Sequence, residues 1–235
     1  MKYFLDTEFI EGFHKPLFGK KRHFIDLISI GIVAEDGREY HAISNEYWYY
    51  KADDWVKKNV IIPLYLNTVH GDNRNRYDAQ NFHFAYGKSN ERIKIELLNF
   101  FSCWRDQHFW RAPSSETIEI YGYYADYDWV LICSLFGRMI DLPKGFPMYC
   151  RDLKQMLDEK ASDINQLEFS KLLVKGTDWQ VKGELSRSVL DINNYSLAAK
   201  IELMKTQPDY PKQTNEHNAL ADAKWNYELY KFLTK

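Results

Sequence analysis

The sequence predicts an α/β protein whose mixed central sheet joins an antiparallel meander to parallel strands and is flanked by helices. Three short apolar segments separated by turn residues open the chain: 1–9, 24–33 and 39–44. Later, an alternating strand pattern at 117–123 runs into an apolar helix pattern at 129–136. The chain closes on an amphipathic helix at 216–235. Strands followed by helices that return to the same sheet are typical of α/β architecture.

Size and charge limit the classes of function. With 235 residues, 28.0 kDa and 45% hydrophobic residues, the chain can bury a substantial core, and we expect one elaborated domain over residues 1–235. Its 31 Lys and Arg nearly balance its 33 Asp and Glu, so that no global basic field favours nucleic acid. Any nucleic-acid binding must therefore use a local basic patch.

The sequence shows no targeting signal and no paired cysteines, which predicts an ordinary cytoplasmic protein with no membrane partner. The sequence has no apolar run of 18 residues, and its first residues lack the apolar region of a signal peptide. Cys103, Cys133 and Cys150 show no paired spacing and lie among apolar residues. We interpret them as reduced structural thiols without a zinc site.

The first strand, MKYFLDTEF, carries two carboxylates. Asp6 and Glu8 are two residues apart, so in a strand they point to the same face, about 6–7 Å apart. In a strand this apolar, adjacent unpaired carboxylates are costly and raise each other's pKa, so we expect a cation between them. The alternative, an ordinary strand end at the surface, stays open on these residues alone.

The meander follows from the next segments. Residues 14–23 form a basic loop, and FIDLISIGIV at 24–33 has the continuous β-branched pattern of a strand buried on both faces. Asp36-Gly37 is a pair that two-residue hairpins favour, and EYHAIS returns as the third strand.

Helices and a loop occupy the middle of the chain. Residues 52–61 predict a short helix that stops before Pro63, and 70–88 read as an inserted loop without periodicity. Apolar residues at helical spacing predict a packing helix over 91–106. Beyond residue 137 we expect a strand at MYCRDL, a helix at 152–161, and short helices within 163–210, where periodicity fails.

Two acids lie where the strand at 117–123 meets the following helix, which should end near Gly137. Asp126 is placed to cap the helix, and Asp128 falls in its first turn. The same position directs a carboxylate into the crevice at the carboxyl end of a strand, where sites lie in α/β sheets. One Asp can therefore cap the helix while the other faces the site.

The last helix also carries an acid on its inner face. Asp222 shares the apolar stripe with Trp225, Leu229 and Phe232. A carboxylate on a docking face requires a hydrogen-bonding base or a metal as partner. His217, near the start of the helix, is a candidate base or a capping residue.

Together these residues suggest chemistry at a phosphate. Four oxygen donors, Asp6, Glu8, Asp128 and Asp222, suit hard cations such as Mg²⁺ or Mn²⁺. Two such ions about 3.5–4 Å apart can hold a phosphodiester, activate water and stabilise the departing 3′ oxygen. His217 would then accept the proton of that water.

The motifs carry a resemblance to a known family. Asp6-Thr7-Glu8, Tyr127-Asp128 followed by apolar residues, and His217-x4-Asp222 resemble the motifs of the DEDDh (DnaQ-like) 3′-5′ exonucleases. FLDTEFIE with IDLISIGIVAEDGREYHAIS is similar, more narrowly, to small bacterial 3′-5′ exoribonucleases of the mycobacterial type. The resemblance implies a ribonuclease H-like fold, metal ligands at the four acids and a general base at His217. It leaves 14–23, 65–90 and 163–210 as insertions.

The expected activity is a metal-dependent 3′-5′ exoribonuclease that releases nucleoside 5′-monophosphates from a 3′ end, with two divalent cations. Three readings compete with it: a DNA exonuclease of proofreading or repair type, a catalytically inactive nucleic-acid-binding module, and a structural domain with buried ion pairs. RNA is preferred over DNA only because of the narrower resemblance. The sequence leaves assembly open, and a homodimer is one candidate.

Substrate-binding candidates complete the prediction: Thr7, Phe9, Trp129, Lys20, Lys21 and Arg22. The basic residues would contact phosphates, whereas Phe9 and Trp129 can stack on the terminal base or pack, and packing is preferred for both. One departure from the resemblance is Tyr124, which stands where many relatives carry Asn, four residues before Asp128.

Overall fold

The computed structural model describes most of the chain: residues 1–105, 109–113, 117–176, 192 and 195–235. These residues form two compact units. The first comprises Met1–Arg151 and Gln213–Tyr227, and the second comprises Asp152–Lys212 and Glu228–Lys235. The predicted single domain with three insertions stays a prediction, and residues 177–191, 193 and 194 of the third insertion lie outside the described residues.

A five-stranded sheet forms the centre of the first unit. The described residues contain seven strands, five of which belong to this sheet. They are β1 (Lys2–His14), β2 (Arg22–Ala34), β3 (Glu39–Ile43), β4 (Trp104–Arg105), β5 (Trp110–Arg111), β6 (Glu119–Gly122) and β7 (Arg151–Asp152). The sheet order is β3-β2-β1-β6-β7, and β4 and β5 form a separate small pair. β1 and β3 each pair antiparallel with β2, whereas β6 pairs parallel with β1. This mixed arrangement confirms the predicted α/β, ribonuclease H-like fold.

β1 lies between β2 and β6, and its apolar side chains Phe4, Leu5 and Ile10 are almost completely buried. Both strands of the first hairpin are longer than predicted. The loop predicted at 14–23 is therefore reduced to residues 15–21. A register shift follows Glu8, because Glu8 pairs with Ser29 while Phe9 pairs with Leu27. Such bulges often lie beside functional sites.

The second hairpin has a longer turn than Asp36-Gly37 suggested. Ala34 and Arg38 are bonded, with the Ala34 N–H donating to Arg38 O at 2.9 Å, so three residues form the turn. Gly37 has φ of +88°, a left-handed conformation that glycine adopts without strain.

The helix expected to stop before Pro63 instead continues through it. Its parts are α1 (Asp54–Val56), a π-helical turn (Lys57–Ile61) and α2 (Ile62–Thr68). The π turn hydrogen-bonds the N–H of Ile62 to Lys57 O, directly before the proline. Because a proline has no N–H and clashes with the α-helical carbonyl four residues earlier, the wider turn accommodates it.

Two further predictions required correction. The region 70–88 is partly helical, with a 3₁₀ turn at Gly71–Asn75 and α3 at Phe82–Tyr86. The helix predicted over 91–106 is α4 (Asn90–Phe100), which ends early because Ser102 is left-handed at φ +55°. The Cys103 N–H then donates to Leu98 O at 2.7 Å, which closes the helix end in a Schellman motif.

α5 (Asp126–Phe136) follows β6 and ends at Gly137, as predicted, but its N-cap is Ala125 and not Asp126. The second unit contains α6 (Leu153–Asp163), α7 (Gln166–Gly176) and α8 (Leu197–Lys205), and Asp152 caps α6. The last helix is α9 (Ala219–Leu233). None of the described helices combines the length and hydrophobicity needed to span a bilayer.

Candidate active site

Three carboxylates converge at the bulge of β1. One oxygen from each of Asp6, Glu8 and Asp222 can be chosen so that all lie within 4.8 Å of one another. β1 supplies the first two residues from one strand face, as their spacing of two predicts, and α9 supplies the third. Residues distant in sequence therefore form one acidic cluster.

The close approach of α9 to the sheet depends on Gly31, which pairs with Asp6 across β1 and β2. A Cβ atom at Gly31 would lie 2.2 Å from the carbonyl oxygen of Ala219. The Asn226 side-chain amide also donates to Leu5 O at 2.9 Å. Asp222 lies on the inner stripe of α9, as predicted, and is 6% exposed.

The environment of the cluster disfavours its charged form. Burial, then repulsion from Asp128, Glu8 and Asp222, raises the pKa of Asp6 well above its ordinary value. Burial, then Asp222 and Asp128, raises the pKa of Glu8 to about 8. Burial also raises the pKa of Asp222, although hydrogen bonds from Gln213 and His217 oppose that shift.

No lysine or arginine in the described part of the chain forms an ion pair with Asp6, Glu8 or Asp222. A cavity of 340 Å³ opens at the cluster. Its described lining contains Asp128 and Glu216 besides the three clustered acids, and His217 is its one residue able to carry positive charge. Among the described residues of the lining, five acids therefore face one histidine and no lysine or arginine.

Asp128 lies in the same cavity, held from β1 by Thr7. The Thr7 N–H and hydroxyl donate to Asp128 Oδ1 at 2.7 and 2.6 Å, and both residues are buried. Asp126, the other acid at the start of α5, is exposed and does not line the cavity. Thr7 also lines the cavity and orients the Asp128 carboxylate, and its expected contact with substrate stays a prediction.

His217 precedes α9 by two residues and lines the cavity. Its backbone is left-handed, with φ of +64°, and its N–H donates to Asp222 Oδ2 at 2.9 Å. The Trp55 ring packs edge-to-face on the imidazole, with centroids 4.9 Å apart. Asp222 thus fixes the backbone of the predicted base, and Trp55 limits the movement of its ring.

The remaining substrate-binding candidates divide into three groups. Phe9 lines the cavity and stacks on Tyr127, with centroids 5.7 Å apart. Trp129 is 9% exposed and lies parallel to Phe146 in the core, which agrees with the packing role preferred for it, and it does not line the cavity. The basic residues are exposed at the end of the first hairpin and do not line the cavity: Lys20, Lys21 and Arg22.

Sequence reasoning missed several residues of the site. Gln213 donates to Asp222 Oδ1 at 2.7 Å, and no sequence pattern identifies it. No sequence pattern identifies Trp55 either, because it lies far from His217 in sequence. Asn226 could have been found, since it follows Asp222 by four residues on the same helix face. Tyr124 has φ of +54°, a conformation that Asn tolerates better, which explains why Asn is suited to this position.

The donor set fits a hard divalent cation. Two oxygens that ligate Mg²⁺ at about 2.1 Å lie at most about 4.2 Å apart, close to the spacing that Asp6, Glu8 and Asp222 reach. Carboxylates with raised pKa and no protein cation regain their charge when such an ion binds. The site can therefore hold metal for chemistry at a phosphate.

The fold and the site together define a ribonuclease H-like α/β protein with an acidic, metal-type centre. Curated relatives place it more closely. The 3′-5′ exoribonucleases of two strains of Mycobacterium tuberculosis are each 32% identical to it over 161 residues, which cover 68% of this chain and 76% of the relative. The chain belongs to this exoribonuclease family. No protein-family model matches it.

Proposed function

We propose that this protein is a metal-dependent 3′-5′ exoribonuclease of the DEDDh type, which hydrolyses RNA from its 3′ end and releases nucleoside 5′-monophosphates. The observation that carries the proposal is the convergence of Asp6, Glu8 and Asp222 in a cavity that also contains Asp128 and His217. Membership in the exoribonuclease family supports RNA as the substrate.

The four acids would hold two divalent cations, Mg²⁺ or Mn²⁺, and these ions supply Lewis-acid chemistry at the phosphate when bound. Thr7 holds Asp128 in place through two hydrogen bonds to one oxygen. Gln213 and the His217 backbone do the same for Asp222 from opposite oxygens. The ligand carboxylates are thereby oriented before substrate arrives.

His217 would act as the general base. Its ring lines the cavity beside Asp222, and imidazole is the side chain best suited to accept and return a proton near neutrality. Water attacks the terminal phosphorus, its proton passes to the imidazole, and the bond between phosphorus and the 3′ oxygen of the preceding nucleotide breaks. The 3′-terminal nucleotide leaves as a 5′-monophosphate.

A DNA exonuclease is the second candidate, because the acidic centre acts on the phosphate and does not itself distinguish the sugar. A 2′-hydroxyl requirement separates the two. We expect faster shortening of RNA than of a DNA oligonucleotide of the same sequence, and the reverse order would favour the DNA enzyme.

The test is digestion of matched 5′-labelled RNA and DNA with Mg²⁺, Mn²⁺ or EDTA. Wild type should give a metal-dependent ladder that shortens from the 3′ end. Asp6→Ala should abolish it, and His217→Ala should slow it by about 10²–10⁴-fold, the usual contribution of a general base.

Asp126→Ala is the matched control, since this acid belongs to the same helix turn as Asp128 but is exposed. It should keep wild-type activity. If folded wild-type protein cleaves neither polymer in any metal, the proposal is wrong. Binding of strands without a metal requirement would then identify an inactive nucleic-acid-binding module.

A further inference from the structure

A row of aromatic rings leads away from the acidic cavity along the first hairpin. Phe9 lines the cavity and stacks on Tyr127 at 5.7 Å. Tyr127 contacts His23 at 6.4 Å, and His23 contacts Phe13 at 5.6 Å between ring centroids. We call these four residues the aromatic ladder. It joins the candidate active site to the exposed end of the hairpin.

The outer rings of the ladder are exposed to solvent without an evident role in the fold. Phe13 is 62% exposed and Tyr127 is 45% exposed, although both are large enough to fill a core. His23 is also exposed, and its Nε2 lies 3.5 Å from Glu11 Oε2, which orients the ring. Exposed rings arranged in a series offer surfaces on which unpaired bases can stack.

Positive charge lies at the outer end of the ladder. The Lys21 ammonium is 4.1 Å from the centre of the Phe13 ring, and its neighbours Lys20 and Arg22 are exposed. Within the described part of the chain, none of the three forms an ion pair with a carboxylate. The net charge of the whole chain is −2, so this local concentration of cations is distinctive. It complements the phosphates of a strand that extends outward from the acidic cavity.

We propose that the aromatic ladder, with Lys20, Lys21 and Arg22, binds the unpaired segment of the substrate strand just upstream of its 3′-terminal nucleotide. This inference rests on the proposed exonuclease function and adds to it the surface that holds the strand upstream of the cleaved bond. From Phe9 to Phe13 the ladder follows β1 for about 13 Å. Stacked nucleotides rise about 3.4 Å each, so about four nucleotides cover this length.

The ladder predicts that activity depends on substrate length. Wild type should cleave a single-stranded RNA hexanucleotide with higher kcat/KM than a dinucleotide, because only the longer strand reaches Phe13 and His23. The variant Phe13→Ala/His23→Ala should lose about 10-fold or more of kcat/KM on the hexanucleotide through a higher KM. Its activity on the dinucleotide should be unchanged.

The charges are tested separately by salt dependence. The variant Lys20→Gln/Lys21→Gln/Arg22→Gln should weaken hexanucleotide binding and reduce the slope of log affinity against log salt by about 0.7 for each lost phosphate contact, about 2 in total. These exposed substitutions keep the test available if the aromatic variant does not fold. Phe84→Ala is the matched control, since Phe84 is 68% exposed on α3 and does not belong to the ladder.

Two results would overturn the proposal. In the first, the ladder variants lose the same factor of kcat/KM on the hexanucleotide and the dinucleotide, or lose none on either. In the second, they lose the same factor on a blunt duplex as on a single strand. Anisotropy of a labelled hexanucleotide bound to Asp6→Asn protein measures the ladder without catalysis. If wild type is inactive but the ladder variants still weaken this binding, the proposed function fails and the ladder stands.

Discussion

Glu8 and Glu96 are two partly shielded carboxylates of the first unit, and they show opposite electrostatics. Glu96 on α4 accepts from Lys88 Nζ at 2.6 Å, Arg92 Nε at 2.9 Å and Tyr40 Oη at 3.1 Å. Burial raises the pKa of Glu96, but these partners together outweigh it and lower the pKa overall. For Glu8 every cause raises the pKa, to about 8.

The difference indicates what each site is for. A carboxylate that stabilises a fold is supplied with protein cations, as Glu96 is. The cluster of Asp6, Glu8 and Asp222 has no such cation among the described residues, so it is costly to the folded protein until an external ion binds. Substitutions in the two regions should therefore have opposite effects on stability and activity.

The largest expected effect is on catalysis. Asp222→Asn keeps the shape of the side chain but removes a charge that would bind metal, so kcat/KM should fall by about 10³-fold or more. Oligonucleotide digestion at saturating Mg²⁺ measures this, with Glu96→Gln as control at wild-type activity. Full activity of Asp222→Asn would place the chemistry elsewhere.

Stability of the metal-free protein should depend on pH in opposite senses at the two sites. Because the folded-state pKa of Glu8 is raised, the folded state holds a proton that the unfolded state loses above about 4.5. The free energy of unfolding should therefore fall as pH rises from about 4.5 to 8, by up to about 1.4 kcal/mol for each pH unit. The Glu96 contribution, present above its unfolded pKa, is instead lost as pH falls through its lowered folded pKa.

Urea unfolding in EDTA across this pH range measures the effect, and Glu8→Gln should flatten the fall between pH 4.5 and 8. Excess Mn²⁺ should flatten it in wild type as well. A metal-free stability that rises over the same range, and does so equally in Glu8→Gln, would show that Glu8 is not destabilised in the folded protein.

The geometry of the acidic cluster depends on the close contact between Gly31 and the start of α9, and a substitution at Gly31 should disturb it. Gly31→Ala places a methyl group against the Ala219 backbone and should displace the start of α9, with a loss of about 2–3 kcal/mol and reduced activity. At Gly12 the closest neighbour is the Phe24 side chain, at 3.0 Å, so Gly12→Ala is a milder control. Equal tolerance of both changes in thermal unfolding would disprove the close packing of α9.

The smallest effect is expected at the compensated site. Glu96→Gln should lower the free energy of unfolding by about 1 kcal/mol, because three partners lose a charged acceptor at a partly exposed position. Glu91→Gln, which changes an exposed ion pair with Lys94 on the same helix, should have little effect. If chemical denaturation shows Glu96→Gln to be stabilising, the contrast between the two sites fails.

The sequence predicted elements whose local signals agree with their packing. The meander, the strand leading into α5 and the inner position of Asp222 follow from periodicity of two or 3.6 residues, which burial reinforces. The ends of elements were wrong where a single backbone conformation decides them, such as left-handed Ser102 or the π turn before Pro63. Periodicity does not encode such local geometry.

The site was partly predictable for the same reason. Asp6 and Glu8 share a strand face by spacing, and Asp222 lies on an apolar stripe, so each was visible alone. The contacts that orient them were not, because Gln213 and Trp55 reach their partners only through the tertiary fold. Trp129 shows that a position next to a candidate ligand in sequence does not place a side chain in the site, because Trp129 is buried in the core.

The most direct test is thermal unfolding of wild type and Asp6→Asn at pH 7.5, each with EDTA and with Mn²⁺. We predict that Mn²⁺ raises the Tm of wild type, that Asp6→Asn is at least as stable as wild type in EDTA, and that Mn²⁺ raises its Tm much less. The account would be contradicted if Mn²⁺ left the Tm of wild type unchanged and Asp6→Asn were strongly destabilised in EDTA. Asp6 would then be a structural carboxylate and not a metal ligand.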